Sequence, residues 1–500
     1  MKVRCLHALA EIEPLREQLN AVNLASAAAD PFSTYEFIRN LILHGPVSKG
    51  GRVWLLTAFV GPLRGSDVDS KLVGYVAMKE THRRVLGRRV VTVDFLVEHD
   101  ADRPHVVASP DYLAEVTGAF YAYLRGRPEW DLLELQQQDA QSTLYPLPEG
   151  TSFRGCWVRD WPNMENHTIR VRWRTLPEYF RGLSQRFRAE VRRYLRKLLA
   201  AGDVALLSSS DPASTPALFE LYCAIERRSW KSRADLTVGG DEFRNACLRG
   251  LLQPHQPMKI VIQILLLDGV PIAGLINGSF EAGSQRALYA LHMTFDDRYS
   301  AVAPGSTMLL FGMRQAIAGG YALFNLLSGF GYYKHRWLAQ ATPTRSAQIY
   351  RIGRLPFWRR LAGDASRTFR AWIKPKQRDI TDALFNPARR QSGELSAELS
   401  LPAISAAERQ EFGRWIAIAR EGDCEWLQDG DFINALPFGA AVSSTGSARK
   451  KSQLTSVATD ARVDGEMNRS DRMTMPVTLI TSPTRTPSGA PNTPNCVIPT

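Results

Sequence analysis

The sequence has no apolar run long enough to cross a bilayer. Its longest, KIVIQILLLDGVPIAGLI at 259–276, is interrupted by Lys259, Gln263, Asp268 and Pro271. That falls short of the roughly 20 apolar residues a membrane span needs. The opening MKVRCLHALAEIEPL meets Glu11 and Glu13 too soon for the apolar segment of a secretory leader. A soluble, cytoplasmic chain is the expectation. Cysteine is scarce: six in 500 residues, at 5, 156, 223, 247, 424 and 496. No pair has C-x-x-C spacing and the nine histidines are dispersed, so neither a disulfide scaffold nor a metal site is expected. Acidic side chains are in deficit, 50 against 62 basic ones, for a net charge of +12. This balance suits an anionic ligand: a nucleotide, a phosphorylated sugar, a nucleic acid or an acidic membrane.

What the chain does have is apolar content, 44%, enough for two or three domains with cores of their own. A short strand and an amphipathic helix are expected over 1–30. DPFSTYEFIRNLILHG reads as a helix capped by Asp30 or Ser33, with Phe37 and Leu41 on its apolar side. Strands come next in RVWLLTAFV, KLVGYVAMKE and RRVVTVDFLV, then a helix from SPDYLAEVTGAFYAYLRG and a strand in WDLLELQQ. From about 211 the order repeats: helices, the strands MKIVIQILLLDG, VPIAGLINGSFEAG and SQRALYALHMTFDD, a helix from APGSTMLLFGMRQAIAGG and a strand YALFNLLSG. Between the two series, Leu183, Phe187, Val191, Tyr194, Leu195 and Leu198 recur at helical spacing, with Gly202 as terminator. Arg186, Arg188, Arg192, Arg193, Arg196 and Lys197 fill the positions between them. The spacing already accounts for these cations as a solvated face, which is the favoured reading; contact with an anionic acceptor, a nucleotide-sugar or a tRNA is the functional alternative. Segments from 366 to 437 read as helical, including SAAERQEFGRWIAIAREGDCEWL. From 438 the chain is rich in Ser, Thr, Pro, Gly and Asn and predicts a disordered tail. The expected organisation is two similar mixed α/β domains at 1–165 and 211–365, a connector at 166–210, a helical extension at 366–437 and the tail at 438–500.

Candidate chemistry concentrates between Asp268 and Trp337. Pro304 and Gly305 open a helix, with Ser306 and Thr307 in its first turn. Free backbone N–H groups and the positive dipole end there would cradle a pyrophosphate, although Pro, Gly, Ser and Thr are also ordinary helix-start residues. The strand YALFNLLSG leads into GFGYYKHRWLAQ, which spends two Gly, two Tyr, a Trp, a Lys, a His and an Arg in twelve positions, 329–340. Ligands of such sheets bind where strands part at that end. Tyr333 would serve as a proton donor, Lys334 and Arg336 as partners for phosphate or carboxylate, and Trp337 as a wall.

The order DG-P-IAG, F-D-D-R-Y, APGS…LL…A…GG, F-N-LL-SG and G-x-x-YK-x-x-W resembles the GNAT acyltransferases, in particular the branch of the cellulose-biosynthesis protein CelD. The match spans roughly 165–345, and a weaker likeness over 1–160 gives the tandem layout shared with the Fem aminoacyltransferases. The resemblance implies an α/β (mixed α+β) fold of two GNAT-like domains, each a mostly antiparallel mixed sheet flanked by helices. It implies acyl transfer, acetyl in the first instance, from coenzyme A to an amine or hydroxyl in exopolysaccharide, cellulose or cell-envelope synthesis, with no metal. By carry-over, Pro304, Gly305, Ser306 and Thr307 hold the donor together with Lys334 and Arg336, and Asp296, Tyr299 and Tyr333 are the catalytic candidates. Asn325 stands where the branch often has Asp. Asp296, His292 and Glu281 compete as base, and Tyr289 and Tyr299 compete with Tyr333 as acid. Two other classes remain open: a Fem-type transferase using aminoacyl-tRNA, and a non-catalytic GNAT-like binding protein.

Overall fold

Apolar strands joined by tight turns build two meanders. The computed structural model describes residues 1–61, 70–97, 102–139, 155–329, 332–364 and 404–437. The first half runs β1 (Lys2–Leu6), α1 (Leu9–Ile12), α2 (Arg16–Ala25), α3 (Tyr35–His44), then the meander β2 (Arg52–Val60), β3 (Lys71–Val85), β4 (Arg88–Phe95). The short β5 (Val107–Ala108), α4 (Leu113–Gly126), β6 (Leu132–Asp139) and β7 (Cys156–Arg170) complete it. After α5 (Leu176–Gly182) and α6 (Gln185–Ala201) the series recurs. It runs β8 (Val204–Ser209), α7 (Thr215–Glu226), α8 (Trp230–Arg233), α9 (Glu242–Leu251), then β9 (Lys259–Leu267), β10 (Val270–Ala282) and β11 (Gln285–Phe295). The half closes with α10 (Pro304–Ala318), β12 (Leu323–Ser328), α11 (Tyr332–Arg336) and β13 (Gln340–Arg351). Leu86-Gly87 turns the β3–β4 hairpin and Asp268-Gly269 the β9–β10 hairpin, all four with positive φ, as a two-residue mirror-image turn requires. The fold class is therefore the expected one: two GNAT-like halves, each a largely antiparallel mixed sheet with helices on its faces.

The halves exchange their last strands. The sheet order is β1-β2-β3-β4-β6-β13-β7-β12-β11-β10-β9-β8-β14, with β5 beside β3. Thus β13, from the second half, lies against β6, and β7, from the first, lies against β12. The two exchanged strands pair with each other from Gln340↔Thr168 to Arg351↔Cys156. Neither was expected from sequence, and the boundary expected at 165 falls inside β7. The connector is likewise drawn into the second half, where β8 pairs β9 and α6 packs against α10.

Local chemistry explains smaller departures. Asp30 caps a 3₁₀ turn at Pro31–Ser33, whereas the Thr34 side chain accepts from the Phe37 N–H and caps α3. The helix expected through 427 ends at Gly422: α12 (Ala406–Glu421) has a Ser405–Glu408 capping box, and β14 (Glu425–Gln428) extends the sheet beside β8, followed by α13 (Asp429–Asn434). The positions 365–403 and the expected tail at 438–500 lie outside the described residues. One core cluster runs through both halves, from Ile12 to Leu436. α3 packs on α9, where buried Asn40 donates to the Cys247 carbonyl at 2.7 Å.

Candidate active site

The parallel strands β11 and β12 pair only at Ala287↔Leu323, Leu288↔Phe324 and Tyr289↔Asn325. β11 continues to Phe295 without β12 beside it, and its ladder with β10 shifts register at Ile276/Asn277. A V-shaped opening therefore begins at Tyr289 and Asn325. Beyond it, a 3₁₀ segment at Asp297–Val302 leads through Ala303, in the left-handed region at φ 46°, into α10. Pro304 is the first helical residue, no side chain caps the start, and the first turn holds no acid. The Ser306 N–H turns back to the Ala303 carbonyl at 3.0 Å. Pro304, Gly305 and Thr307 are buried and Ser306 is half-buried. A Cβ on Gly305 would stand 3.4 Å from the Phe295 ring, so side-chain packing leaves little room there. The basic α6 packs against both this 3₁₀ segment and α10. Phe187, Val191, Leu195 and Leu198 are the buried side of α6, and Arg186, Arg192, Arg193, Arg196 and Lys197 are exposed.

Asp296 occupies the corner before that segment and is fully buried. Its carboxylate accepts from Arg228 Nε at 2.7 Å and from Arg298 Nη2 at 2.6 Å, and its own N–H donates to the Ile272 carbonyl at 2.8 Å. Burial alone would raise its pKa; the hydrogen bonds from Arg298 and Arg228 outweigh that and hold it below the ordinary aspartate value. A carboxylate so engaged is an anchor for the corner rather than a ready proton acceptor. Tyr299 is buried, with its phenol pushed up by desolvation. Tyr289 is buried at the apex of the opening and is also raised by desolvation. His292 lies on the part of β11 beyond the last β12 pair, while Glu281 is at the far hairpin, paired with Arg286 at 2.8 Å.

The segment after β12 divides its labour. Tyr333 is 37% exposed, with its hydroxyl pKa raised by desolvation. Lys334 is only 3% exposed and its ammonium donates to the carbonyls of Leu326, Leu327 and Ser328 at 2.9, 2.9 and 3.1 Å. Three N–H bonds meet three acceptors, so the side chain clasps the end of β12 where Leu327 and Gly329 take φ of 57° and 135°. Desolvation depresses its pKa to about 8, against the pull of Asp102. Arg336 pairs with Glu190 of α6 and lies 4.1 Å from the Phe187 ring centroid. Trp337 is buried against Phe187, with ring centroids 4.9 Å apart. The structure thus gathers Tyr333, Lys334, Arg336 and Trp337 at one corner. It spends both cations on protein partners.

Sequence reasoning missed a polar seam between the halves. Asp102, buried on the loop after β4, accepts from Asn166 of β7 and from Ser328 at the end of β12, with Arg103 Nε 3.4 Å away. Asn166 also donates to Asn325 Oδ1 at 3.1 Å, which takes the Leu327 N–H at 2.8 Å as well. Asn325 is therefore a ladder-end acceptor. Beside the seam, Asp30, Phe32, Tyr75, Asp102 and His105 line a narrow pocket, and Phe32 meets Tyr289 with ring centroids 5.6 Å apart. A lone D-R-P-H in a loop carries no signal for such a role; only the strand exchange reveals it.

This segment has a family match. Residues 185–335 match the model described as the acetyltransferase (GNAT) domain, which covers α6 through most of α11. The matched segment is similar to GNAT acetyltransferase domains and makes up less than half of the chain. Similar solved structures include one described as FemX, at 11% identity, covering 69% of this chain and 97% of that one, TM-score 0.43. Another is a tandem GNAT protein from the clavulanic acid biosynthesis pathway, at 10% identity, 71% and 99% coverage, TM-score 0.40. A third is L-PGS from Bacillus licheniformis, at 15% identity, 68% and 93% coverage, TM-score 0.38. Likeness at this level does not extend to activity. No curated protein matches the chain significantly. Among the described residues no helix is long and apolar enough to cross a membrane.

Proposed function

We propose that the chain transfers an acyl group, acetyl in the simplest case, from coenzyme A to an amine or hydroxyl. The observation that carries this reading is the parting of β11 and β12 in front of an uncapped, acid-free helix start, inside the segment that matches the family. In this reading the donor pyrophosphate meets the start of α10 at the Gly305 N–H and the Ser306 hydroxyl, with the positive end of the helix dipole drawing it in. The extended, amide-bearing arm of the donor lies along the edge of β11 that β12 leaves open, pairing with its backbone. The acceptor attacks the thioester carbonyl, a C–N or C–O bond forms, the C–S bond breaks, and the departing thiolate takes a proton from Tyr333, the exposed tyrosine of the corner; the proton shed by the acceptor amine or hydroxyl goes to solvent, from which the Tyr333 phenolate is reprotonated. Asp296, Lys334 and Arg336 act by positioning: they fix the corner before α10, the end of β12 and the seat of α11. The pocket at Asp30, Tyr75, Asp102 and His105 is the acceptor's side of the opening. The resemblance to the CelD branch supports reading that acceptor as an exopolysaccharide or envelope precursor, reached from the cytoplasm.

Calorimetric titration with acetyl-CoA tests the donor. Wild-type protein is expected to bind, and Ser306→Glu to bind at least about 10-fold more weakly, because a carboxylate at the third helical position suits the helix but repels phosphate. Failure of folded wild-type protein to bind overturns the reading. Salt-dependent tRNA binding in its place would move the donor to the Fem class.

A further inference from the structure

We propose that Glu165, His167 and His335 form a binding site for a divalent transition metal, with zinc the best match. Glu165 and His167 are two apart on β7 and so project from the same face of the strand. His335 comes from α11, whose neighbouring Lys334 is clasped to the end of β12 and so fixes the helix over that face. One donor atom from each of the three lies within 4.8 Å of the others. The imidazoles of His167 and His335 meet edge to face with centroids 5.2 Å apart, and His167 Nε2 is 3.8 Å from the Glu165 carboxylate.

A second observation points to a ligand. His167 is completely buried, yet neither of its ring nitrogens has a hydrogen-bond partner. A buried imidazole normally satisfies both nitrogens, since a buried polar atom left unpaired keeps its full desolvation penalty. A metal ion removes that cost at one nitrogen. Glu165 and His335 are exposed, so the ion has a path in and the two outer ligands have room to close. Tetrahedral zinc with bonds of about 2.0–2.1 Å needs donor separations of about 3.3 Å, a closure of roughly 1.5 Å from the 4.8 Å spread. Two imidazoles, one carboxylate and an open fourth position make a zinc-like donor set, and softer thiolates are absent from the cluster. The bound ion would pin α11 to the strand that the first half lends to the second.

The test uses untagged full-length protein stripped with a chelator and titrated with zinc chloride by calorimetry, with cobalt absorption as a second readout. One ion per chain is expected, with the intense visible bands of tetrahedral cobalt. Glu165→Ala and His335→Ala, both at exposed positions, should each weaken binding by more than the roughly 10–100-fold that loss of an outer hydrogen-bond partner costs a metal site. Circular dichroism confirms that each variant is folded. The absence of saturable binding, or weak binding that neither variant alters, overturns the site and assigns any uptake to scattered surface histidines.

Discussion

The two halves share an element order and differ in how the meander passes into the next helix. In the second half, β11 leads through a charged corner into α10, whose third residue is Ser306 and whose first turn holds no acid. In the first half, β4 leads through a long loop and a 3₁₀ turn containing Asp111 into α4, whose third residue is Glu115. A helix start attracts anions through its free amides, and a carboxylate already there cancels the attraction. The loop before α4 instead sends Asp102 into the seam with Asn166 and Ser328. In the proposed reading one copy of the unit holds the donor, and the other supplies a wall and a strand.

The corner before each helix gives the largest expected effect. The first half closes it with Phe95 and Leu96, both buried and uncharged, while the second uses Asp296 between two arginines. Asp296→Asn leaves Arg228 and Arg298 facing a neutral group and should cost about 3–5 kcal/mol in denaturant unfolding. The pH dependence has a definite sign. The folded-state pKa of Asp296 is depressed, so its contribution is complete above the ordinary aspartate value of about 3.9 and is lost as pH falls below it. The variant should show a shallower decline of stability on the acid side than wild type. A variant as stable as wild type, with the same acid limb, would make the charged corner dispensable and the halves equivalent there.

The seam comes next. Asp102→Ala removes the acceptor for Asn166 and Ser328 and leaves one buried and one half-buried donor without it. A loss of about 1–3 kcal/mol is expected in thermal or denaturant melts. A loss below about 0.5 kcal/mol would mean that the exchanged strands hold the halves together without this loop. A smaller chemical effect is expected at Tyr333→Phe. If its phenol protonates the leaving thiolate, kcat for acetyl transfer falls about 100-fold while acetyl-CoA affinity is kept. Equal loss in both quantities would make Tyr333 part of the donor's binding surface instead.

Legibility from sequence tracked the range of the interaction. The meanders, the helix over 304–318 and the stripe of Phe187, Val191, Leu195 and Leu198 depend on local periodicity, and they stand where the residues indicated. β7 and β13 do not read as strands because neither has a continuous apolar face. Polar residues dominate CWVRDWPNMENHTIR, and Pro162 and Pro343 interrupt the two segments. Each is stabilised by the other and by a neighbour from the opposite half, which no window of sequence contains. Lys334 was legible as an unusual residue but not as a clasp, since that depends on the left-handed turn at Leu327 and Gly329. His167 and His335 looked scattered for the same reason: only the exchanged strand brings them together. The Pro-Gly helix start was visible at once, whereas the absence of any counterpart in the first half required the two helices to be compared position by position.

That comparison has a reciprocal experiment with the smallest expected effect. Ser306→Glu gives α10 the third residue of α4, and Glu115→Ser gives α4 the third residue of α10. Glu115 is 59% exposed and its ion pair, with the amino terminus at 3.8 Å, is a surface one, so Glu115→Ser should change stability by no more than about 0.5 kcal/mol. It should also leave acetyl-CoA binding at one site per chain. The charge at Glu115 is not the only difference: Asp111 remains in the turn before α4, and β4 is paired with β6 at Asp94↔Glu134, one residue short of its end at Phe95. The strand therefore has almost no free edge along which a donor could lie, whereas β11 runs on for six residues beyond Tyr289. A second calorimetric site in Glu115→Ser would show that one carboxylate had silenced an otherwise complete copy. Unchanged stoichiometry would locate the difference in the strands, where the opening between β11 and β12 was made and the one between β4 and β6 was not.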